Sequence, residues 1–166
     1  METVLLNQYS IEKNNFYLSR VYSFLELLED EYPNFKEWYF NTLVTNRKFL
    51  ADRSIILKIY KNEICAVSIV KHSEDKICTF RVTEKFQGLN IGTILMKETI
   101  RVIGNDKPLI TVSEDRIHQF KSLLKNFDFK LYATYQDYYK SNKIEYSFNK
   151  PIEGIEEEIY IPELIY

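Results

Sequence analysis

The chain has 166 residues, enough for a single domain with a substantial buried core. Hydrophobic residues make up 45% and aromatics 15%, which excludes a disordered protein. The net charge of −2 arises from interspersed acids and bases, with no basic block to track a phosphate backbone, so a nucleic-acid partner is not expected.

The opening residues Met1 to Leu6 lack the basic region and apolar core of a signal peptide. No apolar run reaches membrane-spanning length, so the chain reads as cytoplasmic with no membrane partner. Thr3 to Gln8 predict a short strand, and Ser10 is placed to cap a helix. From Ile11 to Glu29 the residues Tyr17, Val21, Phe24, Leu25 and Leu28 recur at helical spacing. Pro33 stops that helix and can begin the next, which carries Phe35, Trp38, Tyr39 and Leu43 and ends near Arg47. These aromatics read as core.

Strands follow at Ser54–Tyr60, Ile64–Val70 and Lys76–Val82, joined by short polar turns that predict an antiparallel meander. Cys65 and Cys78 lack metal-ligand spacing, and a hairpin folded about residues 73 and 74 does not pair them. Free, buried thiols and no metal site are expected. A helix from Thr93 to Gly104 presents a broad apolar surface suited to a sheet, and Pro108–Val112 returns to that sheet as a strand. Strand, helix, strand in this order implies a right-handed crossover and a parallel pair. A helix over Arg116–Asn126 turns Phe120, Leu123, Leu124 and Phe127 inward, and Phe129–Tyr135 with Lys143–Phe148 predict a closing antiparallel pair. The domain is expected over residues 1–150. Residues 151–166 form an acidic, isoleucine-rich tail whose Ile159 and Ile161 either cover a sheet edge of the same chain or meet a partner, a second copy in a homodimer or an antitoxin-like protein.

Only four glycines occur, and two of them, Gly88 and Gly92, sit in the one loop between a strand and a helix. Glycines there permit close backbone approach, and the unpaired N–H groups and positive helix end make an anion site; a tight turn alone would also use them. The run Gln87-Gly88-Leu89-Asn90-Ile91-Gly92 resembles the pyrophosphate-binding loop of the GNAT superfamily of acyl-CoA-dependent N-acetyltransferases. Gln87 and Gly92 match that loop, while Asn90 stands where its first patterned glycine is usual. Phe80-Arg81-Val82 resembles the end of the family's cofactor-pairing strand, and Phe127-Asp128-Phe129 stands where a helix-ending Leu-Gly-Phe is usual.

The resemblance implies an α+β fold: a mixed, mostly antiparallel sheet of about six or seven strands flanked by about four helices, with a parallel pair splayed at the CoA site. It implies acetyl-CoA as co-substrate and an amine as acceptor, with direct attack of the amine on the thioester. Cofactor contacts fall to Phe80, Val82, Gln87, Gly88, Leu89, Asn90, Ile91, Gly92 and Thr93. The segment joining the first two helices would border the acceptor pocket, which puts Tyr32, Trp38 or Tyr39 there. The helical tyrosine that often protonates the leaving thiolate is missing, because five residues before Phe129 stands Leu124. The strand leading into the loop has no carboxylate either. Glu114 and His118, four apart, are the candidates for acid–base work; alternatively Glu114 caps a helix and His118 is a solvated surface residue. Tyr132, Tyr135, Tyr138 and Tyr139 are further candidates from the closing strands. Competing functions are a toxin-like aminoacyl-tRNA acetyltransferase and a non-catalytic CoA-binding or interaction module.

Overall fold

The computed structural model describes residues 1–30, 32–41 and 51–155, the side chains of 11–15 excepted. Its strands are β1 (Glu2–Leu6), β2 (Arg53–Tyr60), β3 (Glu63–Lys71), β4 (Lys76–Val82), β5 (Leu109–Ser113), β6 (Leu131–Gln136) and β7 (Ile144–Phe148). The α-helices among the described residues are α1 (Ile11–Leu25), α2 (Phe35–Tyr39), α3 (Ile91–Ile103) and α4 (Ile117–Asn126). The expected Leu43, the helix end near Arg47, and Ile159 and Ile161 of the tail lie outside the described residues.

All seven strands join one sheet in the order β1-β2-β3-β4-β5-β7-β6. Every neighbouring pair is antiparallel except β4 with β5, which is parallel, as the crossover through α3 requires. β2 and β3 are near-continuous apolar runs because helices cover both of their faces. Ile55, Leu57, Val67 and Ile69 pack under α1 and α2. Ile56, Ala66 and Val70 meet Ile91 and Leu95 of α3 on the opposite face, where Ile77, Ile110 and Val112 also meet Met96 and Leu124. A buried Lys58 ties α3 to the sheet: its Nζ lies 3.0 Å from Glu98 Oε1 and donates to Thr3 Oγ1 at 2.6 Å.

Three local expectations are corrected. Ser10 makes no side-chain cap on α1; its hydroxyl instead donates to the Asn7 carbonyl at 3.0 Å and accepts the Asn7 N–H at 2.8 Å. A short hydroxyl side chain readily bonds nearby backbone in this way, closing the turn after β1. The first α-helix stops at Leu25 and tightens into a 3₁₀ turn over Glu26–Asp30, and Leu18, absent from the expected stripe, is buried. Its carbonyl accepts the buried Tyr39 hydroxyl at 2.6 Å, which locks α1 to α2 and makes Tyr39 a core residue. Pro33 precedes α2 rather than starting it, with Asn34 in left-handed conformation (φ 68°) between them. Ile152 is buried beside Ala133 and Tyr135, and its N–H donates to the Tyr135 hydroxyl at 2.7 Å, so the chain after β7 packs back on the sheet.

The feature that creates a site is where β4 and β5 part. They pair only at Lys76 with Leu109 and Ile77 with Ile110. Beyond these, β4 follows β3 to Val82 while β5 follows β7 to Ser113. A bulge at Cys78, between the Val70–Ile77 and Ile69–Thr79 pairs, bends and twists β4 at the point of divergence. The closed end is held by Asp75, whose carbonyl accepts the Leu109 N–H at 2.8 Å. Its carboxylate accepts from Lys150 Nζ at 2.8 Å and Asn105 Nδ2 at 2.9 Å. These partners, Lys150 first and then Asn105, hold the Asp75 carboxyl below the usual range. A carboxyl depressed in the folded state adds stability above its unfolded value, and that stability is lost as pH falls toward the folded value. Thermal melts between neutral and acidic pH are expected to show a smaller acid loss for Asp75→Asn than for the wild type.

Candidate active site

The diverging strands open a cleft of about 1220 Å³, larger than the usual pocket for one small ligand. One mouth of it is formed by the loop after β4. This loop is pinned: Thr83 N–H donates to the Cys65 carbonyl at 3.0 Å, and a 3₁₀ turn at Glu84–Phe86 follows. Lys85 bridges to Glu63, and Phe86 stacks edge-on to Tyr60. Gln87 Nε2 then reaches back to the Val82 carbonyl at 3.2 Å. The chain thus enters α3 along one fixed path, with Gly88 (φ 75°) and Asn90 (φ 63°) both left-handed. The first-turn amides of α3 have no intrahelical acceptor, and together with the helix dipole they face the cleft as an anion cradle.

Gly92 tests whether that cradle is built for a ligand. A Cβ placed there would touch only Val82 Cγ2, at an ordinary 3.9 Å. Packing therefore does not demand glycine, and alanine would favour the helix by up to about 1 kcal/mol. The missing side chain leaves open the space directly in front of the amides. The residues present fit a diphosphate group at this point.

Of the expected cofactor residues, Phe80, Val82, Gln87, Gly88, Asn90, Ile91, Gly92 and Thr93 border the cleft; Leu89 does not and is 62% exposed. Because the Thr83 N–H points to β3, alternation along the strand turns the main-chain groups of Phe80 and Val82 toward the cleft. The Val82 carbonyl is already taken by Gln87, which leaves the Phe80 groups and the Val82 N–H on that edge. The left-handed φ of Asn90 supplies a conformational reason for glycine or asparagine at this position. Asn90→Gly is expected to leave acetyl-CoA affinity near wild type, and Asn90→Val to cost about 1–2 kcal/mol in stability by chemical denaturation.

The acid–base pair proposed from spacing is not placed at the cleft. Glu114 lies in the turn before α4 rather than on it, and its carboxylate pairs with Lys143 Nζ at 3.4 Å. His118 is exposed on the first turn of α4, and neither residue borders the cleft. Spacing of four implies a shared face only if both residues are helical, and here the helix begins at Ile117. Glu114→Gln is expected to change turnover by no more than a few-fold, measured under saturating acetyl-CoA. Leu124 is buried in the core, and the α4 residues at the cleft, among them Gln119, Phe120 and Ser122, offer no acid.

One of the tyrosines from the closing strands does reach the cleft. Tyr139, on the β6–β7 connection, borders the cleft together with Thr111 of β5, beside the divergence of β4 and β5. Its ring packs edge-on against Tyr138 (4.3 Å) and Tyr32 (5.2 Å). The residue is 36% exposed overall; the partial burial of its phenol first, then the neighbouring Glu145, pushes its pKa up to about 12. Tyr135 instead bonds Ile152, Tyr138 packs against Tyr135, and Tyr132 is 40% exposed away from the cleft. Tyr32 and Trp38 line the cleft beside Tyr139, as the segment between the first two helices was expected to do. Cys78 also borders it, with its thiol pushed up by burial, and both cysteines are free.

An open mixed sheet whose parallel strands part beside a glycine-containing loop invites comparison with solved structures. Escherichia coli ElaA superposes with a TM-score of 0.60 over 89% of this chain and 99% of that one, at 16% identity. An aminoglycoside 6′-N-acetyltransferase complexed with coenzyme A superposes at 0.58 over 92% and 99%, at 11% identity. A GNAT family acetyltransferase from Elizabethkingia anophelis with acetyl-CoA bound superposes at 0.50 over 61% and 77%, at 18% identity. The chain has the GNAT fold. No family model matches the sequence, and no curated protein matches it significantly. The GNAT fold is thus carried here by a sequence only 11–18% identical to these three structures. Among the described residues no helix is long and apolar enough to cross a membrane, and no cluster of His, Cys, Asp or Glu is arranged for a metal ion.

Proposed function

We propose that this protein is an acetyl-CoA-dependent N-acetyltransferase that moves the acetyl group to a primary amine by direct attack. The observation that carries this reading is the cleft between β4 and β5, which ends at one mouth on the loop residue Gly88 and the unpaired first-turn amides from Asn90 to Thr93. Acetyl-CoA supplies the activated acyl thioester. The amides of the loop and first turn of α3 bind its diphosphate. Phe80 and the Val82 N–H pair with the amide-bearing arm as an added strand, which sets the thioester beside Thr111 and Tyr139. The acceptor enters between Tyr32, Trp38 and Tyr139. Its nitrogen forms the new bond to the acetyl carbon as the carbon–sulfur bond breaks. The Tyr139 phenol, protonated throughout the neutral range, gives its proton to the leaving thiolate and is reprotonated from solvent, and water takes the proton lost by the amine. Glu145 lies close to Tyr139 and helps to keep that phenol protonated.

Calorimetry with acetyl-CoA and CoA, followed by thiol-release assays with primary amines, tests the proposal. Binding of both, with thiol released only when an amine is present, is the expected result. Absence of binding would overturn it.

A further inference from the structure

The acceptor end of the cleft has a charge of its own. It lies on the α1–α2 face of the sheet, opposite the helix that holds the loop. Arg53 at the start of β2, Lys71 at the end of β3 and Lys76 at the start of β4 are successive register neighbours across the three strands, and all border it. Arg53 is only 7% exposed, and the Lys76 side chain 13%, so these are not solvated surface cations. Glu74 is the one carboxylate among the described residues that borders the cleft at this end, and it is already engaged by Lys71, with Lys76 Nζ 4.0 Å from its second oxygen. Glu145 lies behind Tyr139, in the adjoining pocket it shares with Tyr32. Asp52 lies close to Arg53 and Lys71 but does not border the cleft, and its carboxylate is held by the Ser73 N–H and hydroxyl, each at 2.7 Å. The rings of Tyr32, Trp38 and Tyr139 border the same cleft.

Resting on the acetyltransferase reading above, we infer that the acceptor is an amine that also carries an anionic group, an amino carboxylate with an apolar or aromatic body. The cations at the ends of β2, β3 and β4 hold its carboxylate, and the aromatic wall holds its body. The same cations act on the nucleophile. Positive charge near a bound ammonium disfavours its charged form, so more of the acceptor amine is present as the neutral species that can attack. A polycationic acceptor meets the opposite situation, because its extra charges would be desolvated against like charge.

The test uses two products that differ only by the carboxylate, N-acetylphenylalanine and N-acetylphenethylamine, titrated calorimetrically into the full chain saturated with CoA. The first is expected to bind at least tenfold more tightly. Lys76→Gln, with Lys71→Gln as a second variant, is expected to remove most of that difference while leaving CoA affinity unchanged. In thiol-release assays phenylalanine should be turned over more efficiently than phenethylamine, than aminoalkyl phosphates of similar size, or than spermidine. Equal binding of the two products, preference for phosphate, spermidine or charged tRNA, or an equal effect of Lys76→Gln on both products would overturn the inference. Failure of CoA itself to bind in the same titrations would instead sink the acetyltransferase reading on which it rests.

Discussion

Gly92→Asp is expected to reduce acetyl-CoA affinity at least 100-fold while leaving the fold as stable as the wild type. A Cβ at this position meets only Val82, at an ordinary contact distance, so the backbone there accepts a side chain without displacing its neighbours. An aspartate in the first turn of a helix is favourable toward the dipole and can accept the unpaired amides. Those are the groups proposed to hold the diphosphate, so the carboxylate would occupy its place and repel its charge. Like charges brought together in a binding site cost several kcal/mol, and every 1.4 kcal/mol is tenfold in affinity. Calorimetry and a denaturation curve on the same preparation separate the two effects. Unchanged affinity in a folded Gly92→Asp variant would remove the diphosphate from this loop.

Tyr139→Phe is expected to lower kcat by about 10²-fold, within the range of a positioned general acid, and to leave acetyl-CoA affinity unchanged. The ring contacts with Tyr32 and Tyr138 survive in this variant, so only the proton is removed. The wild-type pH profile carries a further signature. A phenol raised from the ordinary value near 10 to about 12 stays protonated across the neutral and mildly alkaline range. No fall in kcat below about pH 10 should therefore trace to Tyr139, and the ratio of wild-type to Tyr139→Phe rates should be flat there. A variant rate within a few-fold of wild type would pass the proton to water.

How legible the site was depended on how local each part is. The anion cradle could be read because its chemistry lies within seven residues, from Gln87 to Thr93, and turn residues and helix starts obey short-range rules. The same rules failed at Ser10, where two local hydrogen-bond options compete, and at Glu114, where the reading assumed a helix that begins later. Tyr139 was one of four tyrosines with equal standing in the sequence. Only the packing of the β6–β7 connection over Thr111 and against Tyr32 distinguishes it. Nothing in spacing marked Arg53, Lys71 and Lys76 as a group, since strands β2 and β3 and two hairpin turns separate them along the chain.

The amino-acid sequence by itself determined the alternation of strands and helices, the meander, the crossover and the glycine-bearing loop, because apolar periodicity and turn chemistry act over a few residues. Tertiary structure alone decided that β4 and β5 separate after two residue pairs. It also decided that the bulge at Cys78 falls at that point and that the cations of β2, β3 and β4 share one end of the opening. Those outcomes depend on strand pairing between residues distant in the chain. The registers are selected by burial of both faces of the sheet at once, a condition that no single stretch of sequence expresses.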